Sequence, residues 1–182
     1  MRMQSFVATV AITWVCAVTH PGATPQQVTK DQVAGITNLA RLETTVACAG
    51  AVKPEEAVPE IKKMGFASII NLRESTETGA ELEKEESLAK AAGLKYFHVP
   101  FNGRSPDVKA ADQFLAAITS PGAEPAFIHC GGGNRAATMW LIKRLVVDRW
   151  DVERATKEAI ALGQTSEPLR RFATDYAQSH KR

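Results

Sequence analysis

The chain has 182 residues, 45% of them hydrophobic and 23% charged, which suits one domain with a core of its own and excludes both a peptide and a multidomain assembly. Twenty-two Lys plus Arg against 20 Asp plus Glu give a formal net charge of +2 with no long block of one sign, so neither nucleic-acid binding nor intrinsic disorder is its main business. Three cysteines are too few for a disulfide-stapled miniprotein, and function must come from a local site.

In chain order, Arg2 precedes a largely apolar run from Phe6 to Val18, and His20-Pro21-Gly22-Ala23-Thr24-Pro25 then breaks any helix. This reads as a signal peptide over residues 1–23, cleaved near Ala23. The run is about 13 residues, short of the ~20 that span a bilayer. No later run is apolar for long enough to do so, and the mature chain is expected to be exported, periplasmic or secreted, with no membrane span. The competing reading is an uncleaved amphipathic or buried N-terminal helix, since Thr9, Thr13 and Trp14 dilute the run. Trp14 and Val15 lack the small side chains that precede a lipoprotein cysteine, which sets Cys16 aside. Cleavage would leave Cys48 and Cys130, two thiols that could pair in an oxidising compartment.

Residues 24–35 are polar and Pro-containing and read as a linker to one folded domain over 36–182. Val46 to Ala49 suits a short strand, and Lys53-Pro54-Glu55-Glu56 opens a helix carrying Ala57, Ile61 and Met64 until Gly65. Phe66 to Leu72, apolar and without charge, suits a strand buried on both faces. Ala80 to Ala92 forms a second helix closed by Gly93, with the Glu81-to-Glu86 run as its solvent face. Tyr96 to Phe101 is a strand, Pro106 to Ile118 a helix, Pro121-Gly122 a turn and Ala126 to His129 a strand. Arg135 to Arg149 and, behind an Asp151 cap, Val152 to Leu162 are helices, with a last one from about Pro168. Strands alternating with helices predict an α/β three-layer sandwich, a mostly parallel central sheet of about four to five strands with helices on both faces.

The informative stretch is Phe127-Ile128-His129-Cys130-Gly131-Gly132-Gly133-Asn134-Arg135-Ala136-Ala137. An apolar strand runs into three glycines and directly into an apolar helix. Gly131, Gly132, Gly133 and Asn134 can form a tight loop with inward N–H groups, an anion nest at a helix N-terminus. A cysteine at its mouth is expected to serve as a nucleophile, and Arg135 offers a planar fork for two oxygens of a phosphate-like group. The bland alternative is a Gly-rich turn after an inert cysteine. A nucleotide-binding loop is weaker, because no Gly-Lys-Ser/Thr follows.

The His129-Cys130 pair, the glycine loop and Arg135 resemble the signature loop of Cys-dependent phosphatases of the dual-specificity kind, in the protein tyrosine phosphatase superfamily. More closely, Ile69-Ile70-Asn71-Leu72-Arg73, the Tyr96-to-Pro100 strand and the His129-to-Ala136 block are similar to the bacterial phosphatase-like family of beta-lactamase-hydrolase-like proteins, over about Ile36 to Gly163. The resemblance implies a dual-specificity-phosphatase-like fold and hydrolysis of phosphate monoesters through a Cys130-phosphate intermediate, with an anionic substrate and no cofactor. It gives His129 a supporting role, shaping the loop and stabilising the thiolate through hydrogen bonds. Two departures keep other readings open. Four residues separate Cys130 from Arg135 where these phosphatases have five; rhodanese-like sulfurtransferases commonly have four, and persulfide handling on a sulfur-containing substrate is the alternative. Ala136 stands where the phosphatases usually carry a Ser or Thr that assists breakdown of the intermediate, which leaves room for a non-catalytic anion or phosphopeptide binder.

Phosphatase chemistry wants a general acid upstream of the nucleophile, and Asp107 in Asn102-Gly103-Arg104-Ser105-Pro106-Asp107 has that place. In the first turn of a helix it equally suits the dipole, and Asp112 is the runner-up. His98 reads as a strand histidine, and no His/Cys/Asp cluster has metal spacing, so no metal is expected. Cys48 reads as a small core residue, with a resolving role toward Cys130 as the alternative. Arg73 and Arg104 read as solvated loop residues that could assist an anionic substrate.

Overall fold

The structure, a computed structural model, describes residues 27–180. The signal-peptide expectation therefore lies outside the described residues. Six strands form one sheet in the order β1-β2-β3-β6-β4-β5, namely β1 (Thr29–Val33), β2 (Ile36–Leu42), β3 (Val46–Ala49), β4 (Ser68–Asn71), β5 (Lys95–His98) and β6 (Ala126–His129). The last four are mutually parallel, and β1 and β2 add an antiparallel hairpin beside β3. The helices are α1 (Pro54–Lys63), α2 (Leu82–Ala91), α3 (Val108–Ile118), α4 (Asn134–Val146), α5 (Val152–Ala161) and α6 (Glu167–Ser179).

The α/β sandwich is as expected, but the sheet is larger by the hairpin, and Thr29–Val33 is a strand where a linker was expected. Its Thr-Lys-Asp-Gln-Val sequence is mostly exposed and gives no apolar alternation. Backbone pairing to β2 and an Arg41–Asp31 ion pair at 2.6 Å hold it instead. A polar edge strand of this kind also discourages pairing with other chains.

Alternation along the buried strands sorts their side chains to two cores. Leu42, Val46, Cys48, Ile70, Leu72, Ile128 and Cys130 face α3, α4, α5 and α6, while Leu39, Ala47, Ala49, Ile69 and Phe127 face α1 and α2. Helix α4 is enclosed, every residue from Ala136 to Leu145 being buried. Its two buried cations are paired: Lys143 with Glu124 and Asp148, Arg144 with Asp148 and Glu158. The Arg144 guanidinium also stacks between the Trp140 and Trp150 rings, 4.4 and 4.0 Å from their centroids. This anchorage matters because the N-terminus of α4 carries the loop after Cys130.

Candidate active site

β6 delivers Cys130, and Gly131 to Gly133 turn the chain into α4. Gly133 has φ 99°, a left-handed conformation that a side chain would strain. The turn is stitched to the end of β3: Cys130 N donates to Ala49 O at 3.2 Å, and Ala51 N donates to Gly131 O at 3.1 Å. Asn38 Nδ2 donates to Gly132 O at 3.2 Å. In a trans peptide the N–H points opposite the carbonyl, so outward carbonyls at Gly131 and Gly132 turn the next two N–H groups inward. The second of these, from Gly133, donates to Cys130 Sγ at 3.1 Å. One loop N–H, that of Gly133, is thus turned onto the sulfur at the N-terminus of α4.

Arg135 is oriented from one edge. Its Nη1 donates to Glu77 Oε1 at 2.7 Å and to Phe101 O at 2.9 Å, with a longer bond of 3.3 Å to Leu72 O. Its Nη2 donates to Glu77 Oε2 at 2.8 Å. Nη2 also lies beside the glycine loop, 3.3 Å from where a Gly131 Cβ would stand. Burial disfavours the guanidinium charge, but the Glu77 hydrogen bond and the nearby Cys130 outweigh it and raise the Arg135 pKa. The same bond, against some burial, lowers Glu77 to about 2, with help from the Glu74 N–H and Arg73. Arg73, expected as a solvated residue, is instead buried and fastens this loop: Nη1 to Gly79 O at 2.7 Å, Nη2 to Thr78 O at 2.6 Å, Nε to Glu77 at 3.3 Å. Glu77 had no sequence signal, since it lies 58 residues from Arg135.

His129 departs from its expected role. Alternation puts it on the α1/α2 side of the sheet, away from the Cys130 side chain, and it makes no hydrogen bond to the sulfur. Its Nε2 lies 2.9 Å from Glu85 Oε1, both side chains being fully enclosed. The contact lies off the hydrogen-bond axis and leaves these atoms otherwise unpartnered. Glu85 Oε2 accepts from Asn71 Nδ2 at 2.8 Å, and that nitrogen lies 3.2 Å from the Tyr96 hydroxyl. Burial, then Glu85, pushes the Tyr96 hydroxyl upward. Glu85 thus corrects the expectation that the Glu81-to-Glu86 run is all solvent face.

Asp107 is exposed at the N-cap of α3, accepting from Lys109 N at 3.1 Å. Its loop reaches the site at Gly103, where a Cβ would stand 3.3 Å from Arg135 Cγ. Asp112 is turned away, accepting from the Tyr176 hydroxyl at 2.5 Å. Asn134 faces the loop between α5 and α6 through paired bonds with Thr165. Cys48 is a core residue as expected; burial first, then Cys130, pushes its thiol well up. Its register partner on β6 is Ile128, two residues before Cys130. That diagonal sets the Cα atoms about 8 Å apart, outside disulfide reach without backbone movement. Both thiols are free. No group of three potential metal ligands occurs among the described residues.

Residues 38–146 match the family model for the phosphatase-like domain of beta-lactamase hydrolase-like protein. The chain is 33% identical over 103 residues to the beta-lactamase hydrolase-like protein of Agrobacterium fabrum, an alignment covering 52% of this chain and 23% of that relative. It therefore spans under a quarter of the relative's length. Among solved structures, a DUF442 protein of Shewanella putrefaciens CN-32 superposes with a TM-score of 0.65 at 19% identity, covering 81% of this chain and 96% of that one. A cysteine-to-serine variant of TpbA from P. aeruginosa, in complex with phosphotyrosine, gives 0.61 at 17% identity, over 87% and 93% of the two chains.

Proposed function

The chain belongs to the phosphatase-like domain family of beta-lactamase hydrolase-like proteins, and on that premise we propose that it hydrolyses phosphate monoesters at Cys130. The observation that carries the reading is the convergence of Cys130 Sγ, the inward Gly133 N–H and the Arg135 guanidinium at one helix N-terminus. The Cys130 thiolate attacks phosphorus in line, forming the S–P bond as the ester P–O bond breaks. Loop N–H groups and the Arg135 guanidinium hold the three equatorial oxygens, over which charge is spread in the transition state. Asp107 gives its proton to the departing alkoxide, from the loop whose Gly103 packs on the Arg135 stem. Water then attacks the cysteinyl phosphate, its proton passing to the Asp107 carboxylate as the S–P bond breaks, which releases inorganic phosphate and restores the thiolate and the acid. The phosphotyrosine complex of the P. aeruginosa neighbour makes an aryl phosphate the first substrate to test.

Purified protein should hydrolyse 4-nitrophenyl phosphate and lose at least about a thousandfold in rate as Cys130→Ser. Asp107→Asn keeps the helix cap, because Asn caps as well as Asp, and should cost on the order of a hundredfold with an alkyl phosphate. Activity retained in Cys130→Ser contradicts the reading. The four-residue loop favours sulfur transfer as the second reading, and a sulfane-sulfur adduct on Cys130 with thiosulfate, without phosphate release, would select it.

A further inference from the structure

Two loops meet over Arg135, one after β4 and one after β5, and each carries a side chain that the proposed chemistry does not use. Glu74 belongs to the first. Its N–H donates to Glu77 Oε1 at 2.9 Å, the oxygen that Arg135 Nη1 approaches at 2.7 Å. Asn102 belongs to the second and follows Phe101, whose carbonyl accepts from the same Nη1 at 2.9 Å. Asn102 Nδ2 donates to the two Glu74 carboxylate oxygens at 3.3 and 3.2 Å. The amide is itself fixed, its Oδ1 accepting from Arg104 N at 2.9 Å and Ser105 N at 3.2 Å. The Glu74 carboxylate is thereby latched between the two loops, within roughly one Debye length of the Arg135 guanidinium.

The charges in these contacts are unevenly paired. Glu77 is gripped by both Arg73 and Arg135, whereas Glu74 meets only a neutral amide. Arg104, the cation nearest in sequence, is exposed and has no ion pair among the described residues. Glu74, by contrast, is held by the Asn102 amide. A monoester presents its one phosphoryl group to the cradle. A substrate with a second phosphate beside the scissile one must bring that charge past Glu74, and a like charge at this range costs roughly threefold to tenfold in affinity.

We propose that Glu74, latched by Asn102, is a specificity-determining residue that makes the site select phosphate monoesters over substrates bearing a second adjacent phosphate. The inference rests on the phosphatase reading of the site. Its test is protection of Cys130 from iodoacetamide, comparing orthophosphate with tripolyphosphate at low salt, alongside hydrolysis of 4-nitrophenyl phosphate. Glu74→Gln keeps an acceptor for Asn102 and removes the charge. It should lower the tripolyphosphate concentration needed for half-protection by threefold to tenfold, leave the orthophosphate value within about twofold, and lose the difference at high salt. Equal shifts for both anions, or none, overturn the role of Glu74. A selective shift without any turnover supports the role of Glu74 while overturning the hydrolase reading. No protection by either anion overturns both.

Discussion

Glu77 does for Arg135 what no atom of the glycine loop can do, because it fixes one edge of the guanidinium and so aims the other. A flexible arginine beside the cradle would have to be ordered again at each turnover. Glu77→Gln should therefore lower kcat/KM by about 10- to 100-fold with the fold retained. The same pair predicts a pH signature. The carboxyl is lowered from 4.5 to about 2 in the folded chain, so its stabilisation is fully present above about pH 4.5 and is lost as pH falls toward 2. Allowing for solvent screening of a partly exposed group, wild type should exceed Glu77→Gln by about 1–3 kcal/mol at neutral pH. Chemical denaturation from about pH 7 down to pH 3 measures this; a gap that stays constant to pH 3 would contradict the assignment.

At the scale of elements, α4 is a rod clamped at its far end so that its near end can hold an anion nest still. Trp140 contributes by donating Nε1 to Glu158 Oε1 at 2.7 Å, the carboxylate that also binds Arg144. Trp140→Phe keeps a six-membered ring but removes the indole N–H from a partly buried acceptor and leaves a cavity in the core, which together should cost about 2–4 kcal/mol and lower Tm by about 4–16 °C. The kcat for 4-nitrophenyl phosphate should stay within about threefold, since the change lies one to two turns from the cradle; a large loss of kcat at unchanged Tm would refute the clamp. The elements also show what the sequence made legible. Strand, glycines, Arg135 and enclosed helix could be read because they are local and adjacent, and the Asp151 cap because capping is a short-range signal. The β1-β2 hairpin could not, since a polar edge strand held by its backbone carries no apolar period. Glu77 and Glu85 were invisible for another reason: a carboxylate on a charged stretch reads as solvated until distant chain brings Arg135 or His129 to it.

Across the whole molecule, every part of the site comes from the same end of the parallel strands. Cys130 leaves β6, the Ala49 and Ala51 contacts leave β3, the Arg73-to-Glu77 loop leaves β4, and the Phe101-to-Asp107 loop leaves β5. Crevices at the carboxyl ends of parallel strands are where α/β sheets bind ligands, because the loops there are free to vary while the sheet holds them in register. Cys48, on the neighbouring strand and in the core, is the built-in control, since burial keeps its thiol up and out of reach.

The most direct test of the central claim is acid quenching during steady-state turnover of 4-nitrophenyl phosphate, followed by mass analysis of the cysteine-containing peptides. The account predicts a phosphate adduct on the Cys130 peptide that is absent from the Cys48 peptide and absent without substrate. Turnover that continues with neither peptide modified, and that survives Cys130→Ser, would contradict it.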